Sequence, residues 1–376
     1  MKFHFLQGET FALALALCLT WGSAFAAVAA PELLKAKRDG EARGYAFVTS
    51  HDEIVRGAQK ENKLRALTSL EPAAIKAMTD AFKRKYPFID VYVEEIAGTE
   101  DFQRFILEMK MKRSSTWDSI HLTQHFYNEY LPYLKKFDIL GMAEHGVLGI
   151  PRQIIDSANR NIVAKVSNIT VVAYNKALIS EEKVPNSWEG FLRPEFKGKK
   201  FVTDIRPLGI AGLVPAWGVE KTLDFARKLA GQEPIWTRGG ARVLNSLAAG
   251  EHSLVVAVNF GAVKRAETKD PMGRLAYKVV EPVPVRFAGT DGILAAAEHP
   301  NAALLWLEFQ TSVEGQRIID QYWPYGASVF VPGSAQEKVV AGKRLSLMSW
   351  DLQNDMDAWV EKVIEAYGFP KEEKQK

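Results

Sequence analysis

Only one cysteine, Cys18, occurs in 376 residues. It lies in an N-terminal stretch that reads as a secretion signal. Lys2 supplies a short positive region, Phe11–Leu19 an apolar run, and Ala24-Phe25-Ala26 and Ala27-Val28-Ala29 two small-x-small cleavage sites. Cleavage after Ala26 or Ala29 leaves a chain with no thiol. Disulfides, thiolate metal ligands and cysteine nucleophiles are then excluded. Leu15-Ala16-Leu17-Cys18 is a poor lipoprotein box, because Leu17 is bulky. The apolar run is too short to span a bilayer as a helix, and no later run approaches that length. Neither sign of charge dominates: 48 basic against 45 acidic residues give +3. No basic run interleaves with aromatics, so the footprint of a nucleic-acid partner is missing. Catalytic signatures are missing too: there is no G-x-S-x-G, no H-E-x-x-H and no G-x-x-x-x-G-K. Ser180–Lys183 matches the letters S-x-x-K but sits between an extended segment and Pro185, as a turn or capping box would. No internal repeat or low-complexity segment is visible.

What is present is ordinary globular composition, 47% hydrophobic and 25% charged, long enough for two domains or one large one. The most informative stretch is Ala241–Arg265. Val243, Leu244, Leu247 and Ala248 recur at helical spacing. Gly250 stops that helix. Leu254–Val258 is an apolar β-branched run, as expected of a strand covered on both faces. Asn259-Phe260-Gly261 then falls at its carboxyl end, where ligands bind in open α/β sheets.

The rest alternates in the same way. A surface helix is expected over Asp52–Asn62 and a strand over Leu64–Leu67. A helix follows from Pro72 to about Lys85, then a strand near Val91–Glu95 and a helix over Glu100–Met111. A short strand at Asp118–Leu122 precedes another helix opening at Thr123-Gln124. This β-α-β-α-β order implies a sheet with covering helices. Val147–Pro151 and Ile162–Tyr174 read as extended, the second long enough to cross from one lobe to another. Ser187 starts a short helix and Phe201–Thr203 a strand. Tyr277–Val285 reads as extended, with Pro282 and Pro284 marking edge or hinge character. Asn301–Tyr322 reads as one long helix and Leu352–Tyr367 as a closing one. Two α/β lobes joined by extended strands make a hinged clamshell with its pocket between the lobes.

Three segments carry a resemblance. Val184–Lys200, VPNSWEGFLRPEFKGKK, resembles the P-x-(S/T)-W-x-x-(L/F)-x-x-P-x-(W/F)-K-G-K segment of bacterial extracellular solute-binding proteins. Thr311-Ser312-Val313-Glu314-Gly315-Gln316 resembles their (T/S)-S-x-E-G-Q helix, and the A-x-G-E turn within Leu247–Val258 is similar. The likeness covers about residues 52–330 and is closest to the ferric-iron branch of the periplasmic binding proteins of ABC importers. It implies an α/β, two-lobed type II Venus-flytrap fold. It also implies a periplasmic, monomeric protein that passes a small-molecule solute to an inner-membrane permease. The domains expected are a signal peptide at 1–29, an extension at 30–51, lobe 1 at 52–155 with a return at 276–330, lobe 2 at 156–275 and a helical segment at 331–376. Ferric members place two adjacent tyrosines just after the strand that here ends at Val258; this chain has Asn259-Phe260-Gly261 there. Phe260 cannot ligate a metal, so neither a metal nor a cofactor is expected.

Strand-end logic and the resemblance select the same candidate site groups. Ser69 and Glu71 follow the first strand, at a helix N-terminus that could face an anion or simply be capped. His121 and Thr123 follow the third strand; His121 either touches ligand or is a buried hydrogen-bonded histidine. Asn168 lies in the crossing segment. Arg206, with Asp204, follows a strand and could bind a carboxylate or phosphate bidentately, or form a structural pair with Asp204. Asn259 and Phe260 offer a polar contact and an apolar wall. Asp291 lines the cleft or orders a turn. Tyr322, Trp323 and Tyr325 cover a ring or pack a core. The balance favours an organic solute, and Arg206 an anionic one. The alternatives are ferric iron on non-tyrosine ligands, a periplasmic hydrolase, and a sensory binding subunit on the same fold.

Overall fold

In a computed structural model, residues 24–111, 116–123, 126–323 and 326–369 are described, backbone only for 24–30. Ten strands are present among them: β1 (Lys63–Thr68), β2 (Asp90–Glu95), β3 (Ser119–Leu122), β4 (Ile162–Asn175), β5 (Val202–Asp204), β6 (Ile235–Thr237), β7 (Leu254–Asn259), β8 (Leu275–Lys278), β9 (Val283–Ile293) and β10 (Leu345–Met348). They run in the order β2-β1-β3-β9-β4-β7-β5-β6, with β10 on β9 and β8 on β4. β1 is parallel to β2 and β3, as expected of helix-linked strands, and β7, β5 and β6 form a second parallel set.

Between these sets run two antiparallel strands, β4 and β9. The first half of β4, Ile162–Ile169, pairs with β9; the second, Thr170–Asn175, pairs with β7 and β8. The packing divides at the same place. Ile162, Val163, Ala164 and Val166 of β4, with Phe287 and Ile293 of β9, belong to one core. Ile169, Val171 and Ala173, with Val283 and Val285, belong to another. Each lobe thus has an apolar interior of its own, and two strands pass between them.

Local chemistry explains the helix limits. The helix at His51–Glu61 carries Asp52 and Glu53 in its first turn and Lys60 in its last, each favourable to the helix dipole. It ends at Asn62 in the left-handed region. Pro72 opens the helix at Pro72–Lys85, where its missing N–H costs nothing. Gly250, φ +88°, ends the helix at Gly240–Ala249 as its sequence suggests.

The long helix expected at Asn301–Tyr322 is instead two helices, Pro300–Thr311 and Val313–Tyr322. Ser312 adopts extended backbone and its hydroxyl accepts the Gly315 N–H at 3.2 Å, so it caps a new helix. The turn is tight: a Cβ on Gly315 would sit 2.2 Å from the Phe309 carbonyl oxygen. Val147–Pro151 is not extended either, since the Val147 and Leu148 N–H groups fold back onto the Met142 carbonyl. Tyr277–Val285 divides into the end of β8 and the start of β9. Residues 24–42 form a helix that runs through Pro31. Among the described residues, no helix is long and apolar enough to cross a membrane.

Candidate functional site

A concavity of mixed polar and apolar lining lies where β4 and β9 pass from one core to the other. Strand periodicity assembles it. Asn168 pairs with Arg286 of β9, Thr170 with Asn259 of β7, and Arg286 with Met348 of β10. Side chains two apart on a strand share a face, so these five groups lie across one surface spanning four strands. Their neighbours Ser167, Ile169, Val171, Val285 and Phe287 are buried. The turn after β5 adds Asp204, Arg206 and Leu208, and Pro284 and Met356 complete an apolar wall. The cavity measures about 200 Å³, room for a small molecule.

The backbone beneath it is irregular. Register shifts between Val171 and Ala173 of β4, so β7 carries an extra residue there. Ala257 takes up the bulge at φ +61°, a region that costs a residue with a Cβ roughly 1–2 kcal/mol. Such strain is characteristic of ligand sites. Gly209 approaches the bulge so closely that a Cβ would lie 2.8 Å from the Ala257 carbonyl oxygen and from Thr170 Cγ2.

The hydrogen bonds orient the polar groups. Asn259 caps the helix at Phe260–Glu267, its Oδ1 accepting the Ala262 N–H at 2.9 Å. Its Nδ2 therefore faces Asn168 and donates to Oδ1 at 3.2 Å. Among the described residues, the Asn168 Nδ2 has no acceptor. Asp204 is engaged: Oδ1 accepts the Arg206 N–H at 2.8 Å and Oδ2 the Gly239 N–H at 3.2 Å. Arg206 Nε stands 3.8 Å from Asp204 Oδ1, and its side chain is 55% exposed. Arg286 differs. It is largely enclosed, and among the described residues its guanidinium has no hydrogen bond and no ion pair. Burial pushes its pKa below the ordinary arginine value, yet a guanidinium keeps its charge in proteins.

Of the residues selected from sequence, Asn168, Asp204, Arg206 and Asn259 line this cavity. Phe260 does not. Once Asn259 caps the helix, the Phe260 ring turns into the core, fully buried and edge-on to Tyr277 at 4.9 Å. Asp291 and His121 form a separate interior cluster. Lys165 Nζ, itself 1% exposed, donates to the two Asp291 oxygens at 2.5 and 2.6 Å. Gln310 Nε2 donates to Oδ2 at 3.1 Å. Burial pushes the Asp291 carboxyl up, but Lys165 and His121 outweigh it and hold it below the usual carboxylate value. His121 Nδ1 faces two acceptors, the Thr290 carbonyl at 3.0 Å and Asp291 Oδ1 at 3.4 Å, so Nδ1 carries the proton. Burial pushes the imidazole below its ordinary value, against the pull of Asp291. His121 is thus the buried hydrogen-bonded histidine, and Asp291 is the counterion of Lys165.

Ser69 follows β1 with its hydroxyl enclosed and unpartnered among the described residues. Glu71 is exposed and makes no capping bond. Thr123 is half-buried. None of the three lines the cavity. Tyr322 lies on the surface at 37% exposure, and Trp323 packs against the first core. Tyr325 and Gln124 lie outside the described residues. Sequence reasoning missed Arg286, Thr170, Met348 and Met356. A lone arginine between Val285 and Phe287 in an apolar run was the available signal for the first.

Residues 145–354 match the family model of bacterial extracellular solute-binding proteins. No curated protein matches the sequence. Solved structures similar in fold include the Trichodesmium protein IdiA (FutA) in complex with iron and citrate ligands, at 17% identity and TM-score 0.64 over 82% of this chain and 100% of that one. A Bordetella ferric binding protein aligns at 18% and 0.64, over 82% and 100%. The substrate binding protein of an ABC transporter from Agrobacterium tumefaciens aligns at 18% and 0.56, over 81% and 94%. At these identities the likeness establishes the two-lobed periplasmic-binding-protein fold.

Proposed function

The chain belongs to the bacterial extracellular solute-binding proteins, and on that premise we propose that it captures a small organic solute in the cleft where its lobes meet and presents it to the permease of an ABC importer. The observation that carries the reading is the cavity at the double strand crossing, where Asn168, Arg206, Asn259 and Arg286 converge on one small space. The cavity abuts β4 and β9 where they pass between the lobes, so a ligand held there would bear on the balance between open and closed states.

Export by the segment at 1–29, the lobe limits 52–155, 156–275 and 276–330, and action as a monomer belong to the same proposal. An organic solute is preferred to iron because Asn259-Phe260-Gly261 stands where the resemblance implies a tyrosine pair, and the Phe260 ring is buried. The test compares native and denatured masses of the purified chain. An organic mass released on denaturation is expected. A mass equal to iron, with visible absorbance, contradicts the proposal.

A further inference from the structure

The hydrogen-bond network beside the cavity ends in a donor. The Ala262 N–H fixes the Asn259 amide, Asn259 fixes Asn168, and the sequence ends at the Asn168 Nδ2. The Asp204 carboxylate, the one acidic group on the wall, already receives two backbone N–H groups and stands beside Arg206. Arg286, enclosed at the middle of the site, has no counterion among the described residues. Its side chain is half-buried, so part of its hydration is lost and no described protein anion replaces it. A ligand anion entering the cavity would supply that partner. Close by, Met348, Met356, Pro284 and Leu208 form an apolar wall. Leu208 is 40% exposed, an apolar side chain with nothing yet over it.

We propose that Arg286 is the anchor for a monocarboxylate with a small apolar body, its carboxylate received by the Arg286 fork and the Asn168 amide, and its body against Met348, Met356 and Leu208. This rests on the solute-binding reading and adds the class of solute. Charge decides between oxyanions. Arg206 is offset by Asp204, so the cavity has one uncompensated positive charge, which a carboxylate neutralises and a phosphate dianion exceeds. The planar fork of arginine also matches carboxylate geometry.

Thermal unfolding of the full chain and of Arg286→Met, with defined probes, tests the assignment. The probes are straight-chain monocarboxylates from acetate to octanoate, the corresponding primary amides, and inorganic phosphate. Carboxylates with an apolar body should raise the wild-type midpoint, since a ligand specific to the folded state stabilises it by mass action. Amides and phosphate should not. Arg286→Met should weaken carboxylate binding at least tenfold, while its probe-free midpoint equals or exceeds the wild-type one, because a half-buried charge with no described protein partner has been removed. A lower probe-free midpoint would make Arg286 a structural residue and overturn the inference. So would an equal response to amides, a response to phosphate, or no response to any carboxylate. If the native chain still releases an organic mass in that last case, the solute-binding reading stands and only the carboxylate class fails.

Discussion

Asn168 and Arg286 face each other across β4 and β9 at the step where both strands leave one core and enter the other. Neither side chain belongs to either core. The lobes can change their relative angle here with least loss of packing, and a ligand gripped here bears directly on that angle. On the proposed reading, the strand crossing and the solute cavity share one place in this fold.

Arg206 is half-exposed and shares its charge with Asp204, so its contribution is screened by solvent. Arg206→Ala should weaken an acidic solute about tenfold, about 1.4 kcal/mol, and the loss should shrink as salt rises. Titration calorimetry at two salt concentrations reads both effects. An unchanged affinity would remove Arg206 from the site.

Lys165 and Asp291 make a buried pair, and two further donors, His121 Nδ1 and Gln310 Nε2, close on the carboxylate. Lys165→Met should cost about 3–5 kcal/mol in denaturant unfolding, because Asp291 is left buried without its cation. Adding Asp291→Asn to that variant should restore part of the loss. A Lys165→Met chain as stable as the wild type would contradict the pairing.

His121 sets a pH dependence whose sign follows from its environment. Burial lowers its folded pKa below the unfolded value of about 6.5. The unfolded chain therefore binds the proton more readily in the window below 6.5. Stability from this group is complete above that window and declines as pH falls through it toward the folded pKa. His121→Asn keeps a donor toward the Thr290 carbonyl and removes the titration. Its unfolding free energy should be less steep between pH 6.5 and 5, by at most about 1.4 kcal/mol per pH unit. Parallel curves for the two proteins would refute the assignment.

Gly209 tests the packing beneath the cavity. A methyl group there meets the Ala257 carbonyl and Thr170 Cγ2, both held by the bulge. Gly209→Ala should destabilise by about 1–3 kcal/mol and weaken solute binding together with stability. A neutral substitution would show that the bulge moves freely.

Much of this was legible in the sequence because it is local. β-branched runs and glycine stops located β7 and its helix, and the length of Ile162–Tyr174 indicated a crossing strand. Of the residues chosen from sequence, Asn168, Asp204, Arg206 and Asn259 line the cavity. What escaped depends on partners distant in the chain. Arg286 enters the proposal because no described residue opposes its charge, and a missing counterion cannot be seen in a linear sequence. Met348 and Met356 come from the C-terminal segment, which reads only as a closing helix until β10 is seen against β9. His121 and Asp291 were chosen for residue type and position, and only the burial of Lys165 beside them reveals an internal ion pair. Phe260 failed because an Asn259 cap decides which way the next side chain turns.

The central claim is that an organic solute occupies the cavity between the lobes at Arg286. A crystal structure of the chain as purified, with diffraction collected above and below the iron absorption edge, tests it most directly. The account predicts density for a small molecule against the Arg286 guanidinium and the Asn168 amide, with no anomalous peak in the cleft. An iron peak between the lobes, or a solute bound elsewhere with Arg286 uncontacted, would contradict it.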